Sequence, residues 1–324
     1  MKTVSHLAEL RQRGFGHVVV ACGVFDGVHR GHQSILSSLG ELAEECGCDP
    51  VVVTFHPHPR SLLQPGCAPA LLTTSEQKTE QLLKHGAAAV VALPFSRELA
   101  SLSPRAFLTG HLLSDAVRVA GVCVGAAWRF GARGSGTTTT LRELGQELGF
   151  RVVSVSEGQF YGKAISSTRI RRALDSGRVH FARRLLGRPH TVRGVVEHGK
   201  GIGGTRLNYP TANLQIGEQI LLPRDGVYAA RARFGRDSAD KKAAGGIAYV
   251  GTAPTVPTGL GEGERRRVFE FHRFDFDGNL YGRSLDVELI DFIRGDETFA
   301  DLEALREQIS QDVIQAKSIL KHLP

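Results

Sequence analysis

Two histidines three residues apart, His29 and His32, enclose Gly31 in the string Gly23-Val24-Phe25-Asp26-Gly27-Val28-His29-Arg30-Gly31-His32. That spacing puts both imidazoles on one face of a first helical turn, where each can donate a hydrogen bond to a phosphate oxygen. Gly27 and Gly31 let a phosphate approach the backbone, and the N–H groups of a helix start favour an anion. Taken alone, the same histidines could simply cap a helix. A second set, Ser167, Thr168 and Arg171 in Ile165-Ser166-Ser167-Thr168-Arg169-Ile170-Arg171, can cap a helix and also bind phosphates. A third follows the glycine-rich stretch His198-Gly199-Lys200-Gly201-Ile202-Gly203-Gly204, whose amides at Gly199, Gly201, Gly203 and Gly204 can cradle phosphates. There Thr211 and Asn213 offer a hydroxyl and an amide carbonyl, oxygen ligands suited to Mg²⁺.

These residues need elements to hold them. The run His17-Val18-Val19-Val20-Ala21-Cys22 is continuous and β-branched, as expected of a parallel strand covered on both faces, and Ile35, Leu36, Leu39, Leu42 and Ala43 have helical spacing. The histidine string therefore sits on a strand-to-helix turn. Apolar runs at 50–55, 88–93, 116–124 and 151–155 alternate with helical stretches at 75–86, 103–114 and 141–148. The alternation predicts an α/β fold with a doubly wound, Rossmann-like parallel sheet and a ligand crevice at the carboxyl ends of its strands. From residue 191 onward, short β-rich runs separated by Gly and Pro turns predict a compact antiparallel β-barrel, closed off by a C-terminal helix over 302–320. On the run 268–276, alternation sets Glu270 and His272 on one face, opposite Phe269 and Phe271. A helix over 169–186, ended by Gly187-Arg188-Pro189, separates two domains, 1–186 and 187–324.

Composition narrows the class. A chain of 324 residues with 41% hydrophobic and 23% charged residues can bury two cores. No stretch approaches ~20 uninterrupted apolar residues and the N-terminus lacks a signal-peptide core, so a cytoplasmic location is expected, with no membrane partner. The five cysteines fall in the first half without paired ligand spacing, which favours reduced thiols over a metal or redox pair at Cys46-Gly47-Cys48. The net charge of +7 is dispersed and its arginine clusters do not alternate with aromatics. Phosphorylated small molecules account for it without nucleic acid.

The string GVFDGVHRGHQ resembles the start of prokaryotic bifunctional riboflavin kinase/FAD synthetases, and its H-x-G-H core resembles the signature of an adenylyl-transferring superfamily. The resemblance implies that Gly23, Phe25, Asp26, His29, Gly31 and His32 serve ATP, and that Ser167, Thr168 and Arg171 form the second phosphate-binding element. In Thr54-Phe55-His56-Pro57-His58-Pro59, similar to the family's phosphate-side loop, His58 matches, whereas the family more often has an acid at His56. Gly125 to Gly131 resembles the flavin-side loop, with Ala127 where Asn or Asp is usual. Downstream, Pro210-Thr211-Ala212-Asn213 resembles the riboflavin kinase signature, as do Leu222 to Tyr228 and Val268 to Gly282. By that likeness Glu270 is the base for the riboflavin 5′-hydroxyl. Asn208, Tyr249 and Ala253 depart from the usual glycine, asparagine and arginine.

The expected activity is bifunctional. The C-terminal barrel phosphorylates riboflavin to FMN, and the N-terminal domain adenylylates FMN to FAD with release of pyrophosphate. ATP is the co-substrate, Mg²⁺ the cofactor, and riboflavin, FMN and FAD the other ligands. One alternative keeps only the kinase beside an impaired adenylyltransferase domain, because Ala127 departs while Thr211, Asn213 and Glu270 remain. Another is a non-catalytic flavin or nucleotide-binding regulator. An aminoacyl-tRNA synthetase fragment would share H-x-G-H but need a Lys-Met-Ser-Lys-Ser-type loop, which is not recognisable. Oligomeric state is not readable.

Overall fold

The computed structural model describes residues 3–113, 115–197, 209–217, 219–234, 243–253, 266–276 and 278–322. Its internal contacts divide the chain into two compact units, Met1–Ser167 and Thr168–Pro324.

The first unit is a six-stranded parallel sheet of β1 (Thr3–Val4), β2 (His17–Cys22), β3 (Asp49–His56), β4 (Ala89–Pro94), β5 (Arg118–Gly125) and β6 (Arg151–Val155). Their spatial order is β1-β4-β3-β2-β5-β6. Helices α1 (Arg30–Cys46), α2 (Pro59–Leu63), α3 (Ser75–Lys84), α4 (Arg97–Ser101), α5 (Pro104–Phe107) and α6 (Thr138–Leu148) connect them, and a small hairpin of β7 (Gln159–Phe160) and β8 (Lys163–Ala164) follows β6. The unbroken apolar run of β2 exists because both faces of this central strand are covered. Val19 and Ala21 pack with Leu36, Leu39, Leu42 and Ala43 of α1, whereas Val18, Val20 and Cys22 join the core on the other side. The chain steps from β2 to β3 and β4 in one direction, then returns to lay β5 and β6 on the other side of β2. That reversal opens a crevice beyond the carboxyl ends of β2 and β5. The helical stretch expected over 103–114 is α5 followed by a wider turn at Leu108–Leu112, where the Leu113 N–H reaches back to the Leu108 carbonyl at 2.7 Å. All five cysteines are free thiols, and among the described residues no cluster of three or more His, Cys, Asp or Glu side chains is placed to hold a metal ion.

The first unit ends at Ser167, the first residue of α7 (Ser167–Asp175), and the second continues through α7 to α8 (Val179–Leu186). The single helix expected over 169–186 is therefore two. Gly177, at φ 73°, donates its N–H to the Leu174 carbonyl, and Arg178 donates to Ala173, a C-cap that ends α7. Both segments carry apolar residues at helical spacing, so periodicity does not register the break. Six antiparallel strands then close a barrel: β9 (His190–Glu197), β10 (Ala212–Gln215), β11 (Gly226–Phe234), β12 (Ala244–Ala253), β13 (Arg266–Arg273) and β14 (Ser284–Arg294), in the order β10-β13-β12-β11-β14-β9. Tyr228, Ala230, Val250, Phe269, Phe271 and Val287 are buried along alternating positions of these strands. The helix α9 (Leu302–Lys321) covers Val227, Ala229 and Ile247 through Ala316 and its neighbours. Among the described residues no helix is long and apolar enough to cross a membrane.

A mostly buried ion pair fastens α9 to the barrel. Arg294 at the end of β14 grips Asp312 with two parallel bonds, Nε to Oδ1 at 3.0 Å and Nη2 to Oδ2 at 2.9 Å, and the Asp312 side chain is only 2% exposed. Asp312→Ala is expected to lower stability by about 3–5 kcal/mol, because it takes the close carboxylate from a mostly buried guanidinium and leaves it the Gly295 carbonyl and the more distant Glu297. Urea unfolding measures this, and a loss below about 1 kcal/mol would place the pair with ordinary exposed ones.

Candidate functional site

The loop that leaves β2 is held in an unusual conformation. Phe25, Gly27 and Val28 all adopt left-handed backbone angles, at φ 53°, 83° and 40°. A β-branched residue there is strained, and the complete burial of Phe25 and Val28 holds it in place. The Asp26 carboxylate accepts from the Leu72 N–H at 3.0 Å and the Thr73 hydroxyl at 3.4 Å, while the Gly27 N–H donates to that same hydroxyl oxygen. The Ser167 hydroxyl donates to the Asp26 carbonyl at 2.9 Å. Asp26 and Ser167 thus shape the loop through their own hydrogen bonds.

His29 is the N-cap of α1, its Nδ1 accepting from the His32 N–H at 3.3 Å. That bond assigns the ring proton to Nε2. The two imidazoles stack with centroids 3.6 Å apart, and Phe25 meets His32 edge-on. Gly31 leaves room for this: a Cβ there would lie 3.3 Å from the His29 ring, a tight contact. Burial first, then the neighbouring His29 and Lys78, holds His32 well below the ordinary histidine range, so its ring is neutral at physiological pH. Its Nδ1 is buried and has no hydrogen-bond partner among the described residues.

Lys78 on α3 is a member of this site that no motif pointed to. Its Nζ donates to the Val24 carbonyl at 3.4 Å, the Thr54 hydroxyl at 3.2 Å and the Phe55 carbonyl at 3.4 Å, tying the β2 loop to the end of β3. Burial lowers its pKa, and the charge of Asp26 opposes that shift. The signal was a lysine in a helix that otherwise reads as an ordinary amphipathic one, and its partners lie 54, 24 and 23 residues away in sequence. Lys78→Met should leave the two carbonyls without this donor and loosen the loop, lowering kcat/KM of whatever reaction the loop serves by about 10- to 100-fold. An unchanged value would make Lys78 a packing residue only.

The other loops at the carboxyl edge carry the remaining residues of the first unit. Gly23 donates its N–H to Val53. His58 caps α2, its Nδ1 accepting from the Arg60 N–H at 3.1 Å, and His56 meets the Ser75 hydroxyl at 3.2 Å. Beyond β5, Ala127 is exposed, next to Trp128 and Phe130 stacked at 4.6 Å. Thr168 and Arg171 lie on the first turns of α7 in the second unit, Thr168 exposed and Arg171 half-buried.

In the barrel, Asn213 on β10 pairs directly across from Glu270 on β13. Alternation along β13 leaves Glu270 and His272 outside the buried Phe269 and Phe271, as the sequence pattern implied. Thr211 hydrogen-bonds to the Glu270 carboxylate, and His272 Nδ1 lies 2.9 Å from the Pro210 carbonyl. Burial pushes the Glu270 carboxyl up, and the Thr211 hydroxyl partly offsets this by favouring its ionised form. Because Thr211 donates its proton to Glu270, its oxygen lone pairs stay available beside the Asn213 amide. These are hard, neutral oxygen donors next to one carboxylate, a set that fits Mg²⁺ sharing its shell with water and phosphate. Gly199, Gly201, Gly203, Gly204 and Asn208 lie outside the described residues.

Comparison with known proteins agrees with this division of the chain. A family model for FAD synthetase matches residues 12–169, and one for riboflavin kinase matches residues 186–320. Bifunctional riboflavin kinase/FMN adenylyltransferases are similar over almost the full length. The protein from Escherichia coli K12 is 35% identical over 98% of this chain and 97% of its own, and that from Pseudomonas fluorescens is 36% identical over 98% of each. The Bacillus subtilis protein is 33% identical, over 98% of this chain and 97% of its own. A crystal structure described as a macrolide-efflux protein from Streptococcus pneumoniae superposes over 100% of both chains, at a TM-score of 0.82 and 27% identity.

Proposed function

Since this chain belongs to the bifunctional riboflavin kinase/FMN adenylyltransferase family, we infer that it makes FAD from riboflavin in two ATP-dependent steps, the kinase step at 187–324 and adenylyl transfer at 1–186. The observation that carries the reading is that each folded unit holds its own phosphate-handling cluster: the capped, stacked histidines in one, and Thr211, Asn213 and Glu270 in the other. Two family models matching in that order favour both activities over a single-activity kinase or a non-catalytic regulator.

In the kinase step the riboflavin 5′-oxygen attacks the γ-phosphorus of ATP, the bond to the β-bridging oxygen breaks, and ADP leaves. Glu270 takes the hydroxyl proton. Thr211 and Asn213 would hold Mg²⁺, which supplies charge neutralisation on the phosphates when bound. The glycines 199, 201, 203 and 204 would cradle the nucleotide. In the adenylyl step a phosphate oxygen of FMN attacks the α-phosphorus of ATP and pyrophosphate leaves in line, so no covalent nucleophile is needed. His29 Nε2–H donates to the triphosphate, and His32 contributes a neutral ring whose buried Nδ1 a ligand donor would satisfy. Gly23, Phe25 and Gly31 shape the loop, Asp26 and Ser167 hold it, and His58 is assigned to the same nucleotide.

Chromatography of riboflavin plus Mg-ATP incubated with the purified chain tests the reading. FMN should form first and FAD follow, and FMN supplied directly should yield FAD and pyrophosphate. A chain that makes neither product overturns it.

A further inference from the structure

No motif gives Tyr249 a role. On β12 it pairs directly across from Glu270, which pairs across from Asn213, so the three side chains form one row on the outside of the barrel. The ring is half-buried and packs against the cluster formed by Val227, Ala229, Ile247 and Ala316 beneath α9. Its hydroxyl donates to Asp296 Oδ1 at 3.2 Å, in the segment that joins β14 to α9. Asp296 lines a cleft with Leu222, Pro223, Asp225 and Arg267. Gly251 permits this arrangement: a Cβ at that position would lie 2.0 Å from the Tyr249 hydroxyl oxygen. An asparagine is too short to cover Glu270 and reach Asp296 together.

We propose that Tyr249 is a specificity-determining and positioning residue of the phosphoryl-acceptor side, its ring forming a wall between Glu270 and α9 that keeps water from the carboxylate and offers an aromatic surface to a planar, hydroxyl-bearing acceptor. The proposal rests on the kinase reading of this site. Among the described residues, the titratable groups facing Glu270 are Tyr249 from β12 and His272 on its own strand, with the uncharged Thr211 and Asn213 from the β10 side. Tyr249 itself faces Asp296, Glu270 and Asp225. Burial, then those carboxylates, pushes its phenol up to about 12, so it remains a neutral donor throughout the working range.

Steady-state FMN formation by the full chain is measured for Tyr249→Asn, Tyr249→Phe and Gly251→Ala, with FAD formation from supplied FMN as the folding control. Tyr249→Asn should raise KM for riboflavin about five- to tenfold and leave KM for ATP unchanged. Tyr249→Phe keeps the wall and should stay near wild type in its KM for riboflavin. Gly251→Ala, which displaces the ring without altering it, should act in the same direction as Tyr249→Asn, and carries the test if that variant fails to fold. Wild-type kinetics in the asparagine and alanine variants would overturn the role of Tyr249 alone. A wild-type chain that forms no FMN overturns the kinase reading and this role with it.

Discussion

Replacing Glu270 by glutamine is expected to lower kcat for FMN formation by about 10²- to 10⁴-fold while FAD formation from supplied FMN continues. Glutamine keeps the volume and can still accept from the Thr211 hydroxyl, so the deficit reads the lost base and not a lost contact. The wild-type pH profile should agree. Burial raises this carboxyl, and only its ionised form can take the hydroxyl proton, so kinase activity should fail as pH drops through a value above the usual glutamate range of about 4.3. Stability should move the other way. A carboxyl that binds its proton more tightly folded than unfolded contributes stability below its unfolded pKa and loses it as pH rises, so the ionised group is a cost at neutral pH. Glu270→Gln should therefore melt at or above the wild-type temperature at pH 7. A variant that is less stable, or that keeps its kinase rate, would remove Glu270 from the base role.

His29→Ala should depress FAD formation by about 10²- to 10³-fold through loss of a donor to the triphosphate, and should also remove the cap on α1, at about 1 kcal/mol. The two effects are separable. Asparagine can still accept from the His32 N–H as an N-cap, yet it does not place a donor where the His29 Nε2 stands. His29→Asn is thus expected to recover the melting temperature and not the adenylyl transfer, with FMN formation unaffected in both variants. Recovery of FAD formation by asparagine would reduce His29 to a capping residue, the plainest reading its spacing allowed.

Much of the site was legible because it is local. The β-branched run before Gly23 and the 3.6-residue spacing behind His32 place the histidines on a strand-to-helix turn, and alternation alone puts Glu270 outside Phe269 and Phe271. Other parts were not. Asp26 belongs to a phosphate motif by spacing, but its carboxylate is engaged by Leu72 and Thr73, 46 and 47 residues away. The helix over 169–186 is broken at Gly177 because the backbone there turns left-handed, a change that leaves the apolar pattern intact. Lys78 has no sequence signature, since its role comes from three acceptors brought together by β2, β3 and α3.

The sequence by itself determined which residue types stand at each turn, the period of each element and the order of a parallel sheet followed by a barrel. Tertiary structure decided the strand register that sets Tyr249, Glu270 and Asn213 in one row, the hydrogen bonds that lock the strained β2 loop, and the depth at which His32 and Glu270 are buried. The division has one cause. Periodicity and capping act over a few bonds and are written in neighbouring residues, whereas register, desolvation and long-range pairing depend on which segments meet after the chain has closed.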